Sequence, residues 1–384
     1  MDLLNTYPSI PYLEQRARKR IPFFAWEYLA SGTGQEFGVA HNLAALQRIK
    51  LTPKMLAGRY EPDTRTELFG KTYDVPFGVA PVGMSGFLWP GAERILAAAA
   101  KKHNFPYCLS SVACETPETI AEIAGDNGWL QYYPLKDLAD EADLLRRAWD
   151  AGIRTLAVTI DIPFGSRRER QLRAGLVMPP RYTLQTLWRV ARRPHWAFAT
   201  LAYGMPRFRA LEPYLKSPDE YGKPRRPADF IDGLQDWGLI GRIRDTWKGA
   251  LIVKGIMHPA DALNAVEQGA DGIVVSNHGA RQLDGAPASI EALPDVVAEV
   301  GAKTKILFDS GVRGGLDMVR ALALGADFCL MGRAFLFSVA ALGKRGGDHA
   351  AEILRLDLAN IMYQLGARSL ADLPAYAPGR AASK

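Results

Sequence analysis

Cysteine is scarce: three residues in 384, Cys108, Cys114 and Cys329. Each sits in or beside an apolar run and none has metal-ligand spacing. A disulfide framework and a thiolate metal site are therefore excluded, and reduced core thiols in a cytosolic-type setting are expected. The opening residues, MDLLNTYPSI, lack the charged start and apolar stretch of a secretory signal. Nothing reads as a membrane-spanning helix. Residues 75 to 92 carry no charge, but Pro76, Pro81, Pro90 and four glycines interrupt them, which favours a buried strand and loop. No GxGxxG follows the first apolar strand, so the main sign of a dinucleotide-binding domain is missing. Acidic residues are absent from Arg181 to Leu211, where Arg181, Arg189, Arg192, Arg193, Arg207 and Arg209 together equal the whole net charge of +6. A nucleic-acid partner would need a basic face elsewhere as well, and the sequence shows none.

What is present is repetition. With 48% hydrophobic residues the chain can bury a large core. Eight short apolar runs recur: FGVAP (77 to 81), PYCLS (106 to 110), GWLQYY (128 to 133), TLAVTI (155 to 160), ALIVK (250 to 254), DGIVVS (271 to 276), KILFD (305 to 309) and DFCLMG (327 to 332). Ala- and Leu-rich segments of helical period separate them. Continuous apolar strands alternating with helices imply a parallel sheet covered on its outer face. Eight such units predict an α/β fold of the (β/α)8 TIM-barrel class over residues 1–384 as one domain. Residues 1 to 70 read as a leading helical segment. The gap of about ninety residues between strands four and five is too long for an ordinary connection. It predicts an insertion over roughly 175 to 235.

Barrel enzymes gather their reactive groups at the C-terminal ends of the strands. Those ends are Pro81 to Gly83, Ser110, Gln131 with Tyr133, Thr159 with Asp161, Lys254, Ser276 with His278 and Arg281, Asp309 with Gly311 and Arg313, and Gly332 with Arg333. The last two strand ends suit a phosphate, because glycine amides and a helix start can meet a dianion that Arg313 and Arg333 neutralise. The alternative is a pair of tight turns with surface arginines. Lys254 ends a buried strand and needs a partner. A structural ion pair, a Schiff-base nucleophile and a cation facing a developing anion are three open readings. His278 suits a general base if a carboxylate orients it and an arginine holds an anionic substrate; Asp161 and Arg168 can supply both.

SNHGARQLDG at 276 to 285, VKG at 253 to 255, APVGM at 80 to 84, LSS at 109 to 111, LQYY at 130 to 133, DSGVRGG at 309 to 315 and MGRAF at 331 to 335 together resemble the FMN-dependent α-hydroxy acid dehydrogenases and oxidases. The resemblance runs from about residue 5 to about residue 375. It implies FMN as cofactor and no metal. By that resemblance His278 would be the base and Asp161 would hold its imidazole. Arg168 and Arg281 would bind the substrate carboxylate, helped by Tyr28 and Tyr133. Lys254 would face the flavin edge where negative charge accumulates. Pro81, Val82 and Gly83 would line the flavin, Ser110, Gln131, Thr159 and Ser276 would bond its polar edge, Gly311, Arg313, Gly332 and Arg333 would hold its phosphate, and Asp309 would be a further cofactor-binding residue.

Val112 and Gly83 stand where glycolate oxidases carry tryptophan and alanine, which implies more room above the flavin and a substrate such as L-lactate or mandelate. In LQYY, Tyr132 replaces an apolar residue; strand alternation turns it away from the site, toward a structural partner. The basic and aromatic stretch 181–211 suits a helix in an anionic membrane interface or a loop over the site mouth. RRPHWAF resembles the insertion of membrane-associated members, which favours a cytoplasmic protein peripheral on the inner face of the membrane. The electron acceptor is then a quinone, a cytochrome or oxygen, and the family suggests a homotetramer. An aldolase-type barrel using Lys254 is the reading from another class, distinguished by borohydride trapping.

Overall fold

Alternation along the strands decides which side chains face the barrel axis. The computed structural model describes residues 2–176, 183–215 and 230–378. Strands β1 (Phe77–Val79), β2 (Tyr107–Ser110), β3 (Gly128–Tyr132), β4 (Thr155–Thr159), β5 (Ala250–Ile256), β6 (Gly272–Val275), β7 (Lys305–Phe308) and β8 (Phe328–Met331) close into one parallel barrel, with β8 returning to β1. This is the (β/α)8 architecture expected from the eight apolar runs. Four helices, Leu3–Thr6, Ile10–Arg20, Phe23–Ala30 and Phe37–Arg48, precede it. A two-stranded ribbon, Thr66–Leu68 against Lys71–Tyr73, lies between them and β1.

The buried apolar residues divide into two sets. Leu68, Tyr73, Ala80, Cys108, Trp129, Ala157, Ile252, Val274, Leu307, Phe328 and Leu330 form the barrel interior, with the ribbon contributing its first two members. Their strand neighbours, such as Leu109, Leu130, Leu156, Leu251, Ile273 and Ile306, belong to the larger core under the helices. Successive residues of a strand point to opposite faces. The residue two beyond each inward apolar side chain is therefore inward too. Two beyond Cys108, Trp129, Ala157, Ile252, Val274 and Leu307 lie Ser110, Gln131, Thr159, Lys254, Ser276 and Asp309, all buried. The barrel axis is thus apolar below and polar at the C-terminal mouth.

The same parity turns Tyr132 outward. Its hydroxyl meets Glu141 at 2.5 Å and accepts the Leu135 amide N–H at 2.8 Å, which is the structural partner expected for it. The three cysteines are buried and free. Helices start on local signals: Asp137 accepts from the Ala139 and Asp140 amides before Leu138–Asp150, and Thr116 caps Pro117–Ala124. Such caps contribute about 1 kcal/mol each.

Between β4 and β5 the chain forms helices Glu169–Arg173, Leu184–Ala191, Pro194–Tyr203, Glu212–Leu215 and Gly238–Thr246. Arg181 lies outside the described residues. Trp196 anchors the insertion: it is buried and its indole N–H donates to the Leu88 carbonyl at 3.0 Å. Tyr203 adds a hydroxyl bond to Glu115 at 2.6 Å. Leu184, Leu187, Trp188, Phe198 and Leu201 remain more than half exposed. Among the described residues, no helix is long and apolar enough to cross a membrane.

Candidate active site

His278 follows β6 in a left-handed turn: His278, Gly279 and Ala280 have φ of 56°, 63° and 58°. Two non-glycine residues there cost roughly 1–2 kcal/mol each. The turn is held by bonds the sequence does not advertise. Asn277 accepts the Ala280 amide at 3.1 Å and forms a reciprocal amide pair with Asn42, and Ser310 accepts the Gly279 amide at 2.9 Å. The imidazole Nδ1 lies 2.8 Å from Asp161 Oδ1, and Nδ1 engaged in this way leaves Nε2 as the atom able to meet a substrate. Burial pushes the Asp161 carboxyl up, but His278, its hydrogen bond and the Lys254 charge outweigh that and hold it below its ordinary value.

Gly255 makes this pair possible, a role that sequence reading missed. Its φ is 107°, and a Cβ there would lie 2.5 Å from Asp161 Cβ. The pairing register of β5 with β6 shifts between Lys254 and Ile256. The available signal was a glycine directly after an inward lysine, a common mark of a bulge or of close approach.

Lys254 is buried, with Nζ 2.7 Å from Asp309 Oδ2 and 2.7 Å from Ser276 Oγ. Burial pushes the ammonium down, while Asp309, Asp161 and the Asp309 hydrogen bond raise it above its ordinary value. An ammonium held charged is a poor Schiff-base nucleophile. The ion pair is therefore realised, and the same side chain also lines the cleft.

Four arginines surround that cleft, and among the described residues none pairs with a carboxylate. Arg281 donates to the Tyr28 and Ser31 carbonyls, both at 2.9 Å. Arg168 donates from Nε to Ser166 Oγ at 3.1 Å and from Nη2 to Gln282 Oε1 at 3.0 Å. Ser166 in turn donates to the Arg281 carbonyl at 2.6 Å, so Ser166 and Gln282 tie the loop after β4 to the loop after β6. Arg333 donates to Leu29, Gly279 and Ser31 carbonyls, and Arg313 to the Val312 carbonyl. Burial first, then Arg168, depress Arg281 to about 10. Burial also depresses Arg313, and burial with Arg281 and Arg313 depresses Arg333. Crowded cations of this kind are relieved by bound anions. Tyr28 donates to the Gly83 carbonyl at 2.8 Å, and burial beside Asp161 raises Tyr133 so that it stays a neutral phenol.

The cleft measures about 430 Å³ and is lined by Pro81, Val82, Gly83, Val112, Lys254, His278, Gly311, Arg313, Gly332 and Arg333, among others. In the polar layer at the barrel mouth Ser110 Oγ donates to Gln131 Oε1 at 2.8 Å, while Gln131 Nε2, Thr159 Oγ1 and Asp161 Oδ2 are buried without a hydrogen-bond partner among the described residues; none of these four residues lines the cleft itself. Native interiors rarely leave such atoms unsatisfied. A flat heteroaromatic ring with a polar edge and a phosphate tail fits this donor set: buried amide and hydroxyl groups in the mouth layer, the Lys254 cation, and glycines with Arg313 and Arg333 in the cleft lining. FMN has that chemistry. The room expected at Gly83 is not open, since a Cβ there would meet Val112 Cγ2 at 2.7 Å. The two small residues pack against each other, so any widening comes from Val112 alone. Phe208 and Ile231, from the chain between β4 and β5, reach the cleft mouth and were not anticipated. Among the described residues, no cluster of His, Cys, Asp and Glu could hold a metal.

Residues 17–377 match the family described as FMN-dependent dehydrogenase. The L-lactate dehydrogenases of Stenotrophomonas maltophilia and Ectopseudomonas mendocina are each 37% identical over 365 residues, 93% of this chain and 94% of theirs. Among solved structures, the monotopic membrane protein (S)-mandelate dehydrogenase superposes with a TM-score of 0.89 at 30% identity, over 97% of this chain and 99% of that one. Mandelate oxidase does so with a TM-score of 0.80 at 32% identity, over 96% and 97%.

Proposed function

The chain belongs to the FMN-dependent dehydrogenase family, and on that premise we propose that it oxidises an L-2-hydroxy acid, L-lactate or a bulkier one such as mandelate, to the 2-oxo acid. The observation that carries this reading is the meeting, in one cleft, of an Asp161-oriented His278 with two arginines that have no carboxylate partner among the described residues. A hydroxy acid brings a fixed carboxylate, so Arg168 and Arg281 would supply orientation as well as affinity. Tyr133, kept a neutral phenol by burial, would donate to the same end of the substrate, and the Tyr28 hydroxyl would do so on turning from the Gly83 carbonyl that it meets here. Oxidising a secondary alcohol removes two electrons and two protons. His278 Nε2 would take one proton, and Asp161 would stabilise the resulting imidazolium. FMN, when bound, would accept the electron pair together with the second proton. Lys254, kept charged by Asp309, would place a positive charge beside it, and Arg313 and Arg333 would hold its phosphate.

Val112, Ile162, Phe208 and Ile231 at the mouth support a substrate with an apolar side chain. The exposed apolar and basic residues of the insertion support contact with a membrane surface; on that reading the enzyme is cytoplasmic and peripheral on the inner membrane face, and passes electrons to a quinone or a cytochrome, with oxygen as the acceptor of a soluble enzyme. The family resemblance supports a homotetramer, which light scattering would test. The deciding experiment is anaerobic bleaching of the purified yellow protein, screened across lactate, mandelate, glycolate and longer 2-hydroxy acids. Rapid bleaching by lactate or mandelate is expected. A flavin unbleached by every 2-hydroxy acid would overturn the reading.

A further inference from the structure

The acid-free basic stretch of the insertion is not isolated, because folding brings two others beside it. Helix Ile10–Arg20 ends in Arg18, Lys19 and Arg20, and no acidic residue occurs between Glu14 and Glu27. Arg16 Nε and Arg20 Nη1 donate to the Ala341 carbonyl at 2.9 and 2.7 Å, which sets this helix end against the turn carrying Lys344 and Arg345. That turn lies in the other acid-free stretch, between Asp327 and Asp348. The insertion joins both: Arg193 donates to the Ile21 carbonyl at 3.1 Å, and the Arg189 guanidinium lies 4.8 Å from the Phe23 ring. The cations are close enough to feel one another, since burial and then Arg16 and Arg345 hold Arg20 below its ordinary pKa.

Charge is correspondingly asymmetric. The face gathers nine cations: four at 16 to 20, three at 189 to 193 and two at 344 and 345. Removing these nine from the 47 basic residues leaves 38 against 41 acidic ones, so the remainder of the chain is net negative. Arg18, Lys19, Lys344 and Arg345 are exposed and outside the catalytic cleft. Beside them stand the exposed Leu184, Leu187, Trp188, Phe198 and Leu201. A nucleic acid would neutralise the cations and leave those side chains in water; an anionic bilayer satisfies both.

We infer that the membrane-contacting surface is composite: the insertion buries its apolar side chains among acyl chains, while Arg18, Lys19, Lys344 and Arg345, from two other parts of the fold, bind anionic lipid headgroups. This rests on the peripheral-membrane reading above, and the arms of the test separate the two. The FMN-loaded full-length enzyme is sedimented with phosphatidylcholine vesicles, with or without about 30% phosphatidylglycerol, at about 0.1 M salt. The wild type is expected to bind the anionic vesicles. Arg18→Gln/Lys19→Gln/Lys344→Gln/Arg345→Gln should weaken that binding at least a hundred-fold, from roughly five-fold per cation removed. Its bleaching by substrate should be unchanged, which also checks folding. Leu184→Ser/Leu187→Ser/Phe198→Ser/Leu201→Ser should lose binding to the anionic vesicles. If the charge variant binds as the wild type does while the insertion variant is lost, the composite surface is wrong and the membrane reading stands. If the wild type binds neither vesicle, both are wrong. Tighter binding of a DNA duplex than of anionic vesicles, abolished in the charge variant, would show the partner class to be wrong.

Discussion

Replacing Gly255 with alanine adds one methyl group, and the structure gives that methyl nowhere to go. At φ of 107° an L-residue is strained, and the new Cβ would sit 2.5 Å from Asp161 Cβ and 2.6 Å from its Cγ. Nonbonded carbons prefer about 3.5–4.0 Å, so Asp161 or the backbone must shift by roughly 1 Å. The backbone strain alone is about 1–3 kcal/mol. At roughly 2.1 cal/mol/K per residue over 384 residues, a loss of about 2 kcal/mol lowers Tm by about 2.5 °C. The functional effect should be larger. A displacement of about 1 Å in a positioned group costs on the order of a hundred-fold in rate, and here it falls on the carboxylate that holds the His278 imidazole at 2.8 Å. Gly255→Ala is therefore expected to bind FMN, melt slightly early and be reduced by substrate about a hundred times more slowly. Stopped-flow reduction with substrate in excess measures this, with flavin absorbance and a thermal melt as controls. Placing the substitution in an Asp161→Ala background tests the route, because the second change should then add little to the loss in rate. An alanine variant that is reduced at the wild-type rate, or an undiminished extra loss without Asp161, would refute the argument.

Other substitutions probe the remaining parts of the site. Arg168→Met should keep the flavin, since its bonds run to Ser166 and Gln282 and not to the phosphate end. Losing one charge-assisted carboxylate clamp, about 2–3 kcal/mol, should raise the substrate Kd roughly a hundred-fold in anaerobic titration; unchanged affinity would remove Arg168 from that role. Val112→Trp enlarges a side chain that lines the cleft, so the ratio of mandelate to glycolate bleaching rates should fall by about ten-fold or more; an unchanged ratio would mean that the substrate side chain lies elsewhere. The Asp161 carboxyl is held below its ordinary value near 3.8 by His278 and Lys254 against burial. A depressed carboxylate contributes stability that is present above the ordinary value and lost as pH falls through the folded one. The stability gap between wild type and Asp161→Asn, measured by denaturant melts, should thus be widest near neutrality and shrink below about pH 4; a gap that grew on acidification would contradict the assigned sign.

Strand parity was legible because it is local. Knowing that Trp129 and Ile252 belong to apolar strands is enough to know that Gln131 and Lys254 share their face, and parity also explains why Tyr132, one residue off that face, meets Glu141 under the helices. Barrel closure then collects such ends without any further instruction in the sequence, which is why Ser110, Thr159, Ser276 and Asp309 could be named as one layer. What parity cannot give is the partner chosen across that layer. Lys254 had three open readings until Asp309, from a strand two places round the barrel, was seen at 2.7 Å. Contacts between loops were less legible still. Ser166, Gln282 and Arg168 interlock across 114 to 116 positions, and each alone looks like an ordinary polar loop residue. The basic face is the extreme case. Lysines and arginines at 16 to 20 and at 344 to 345 are unremarkable on separate helix ends, and only the packing of helix Ile10–Arg20 on the carbonyl of Ala341 makes them neighbours of the insertion. Periodicity reports the direction of a side chain, whereas pairing depends on closure; the residues missed here are those whose role depends on a contact made after the barrel has closed.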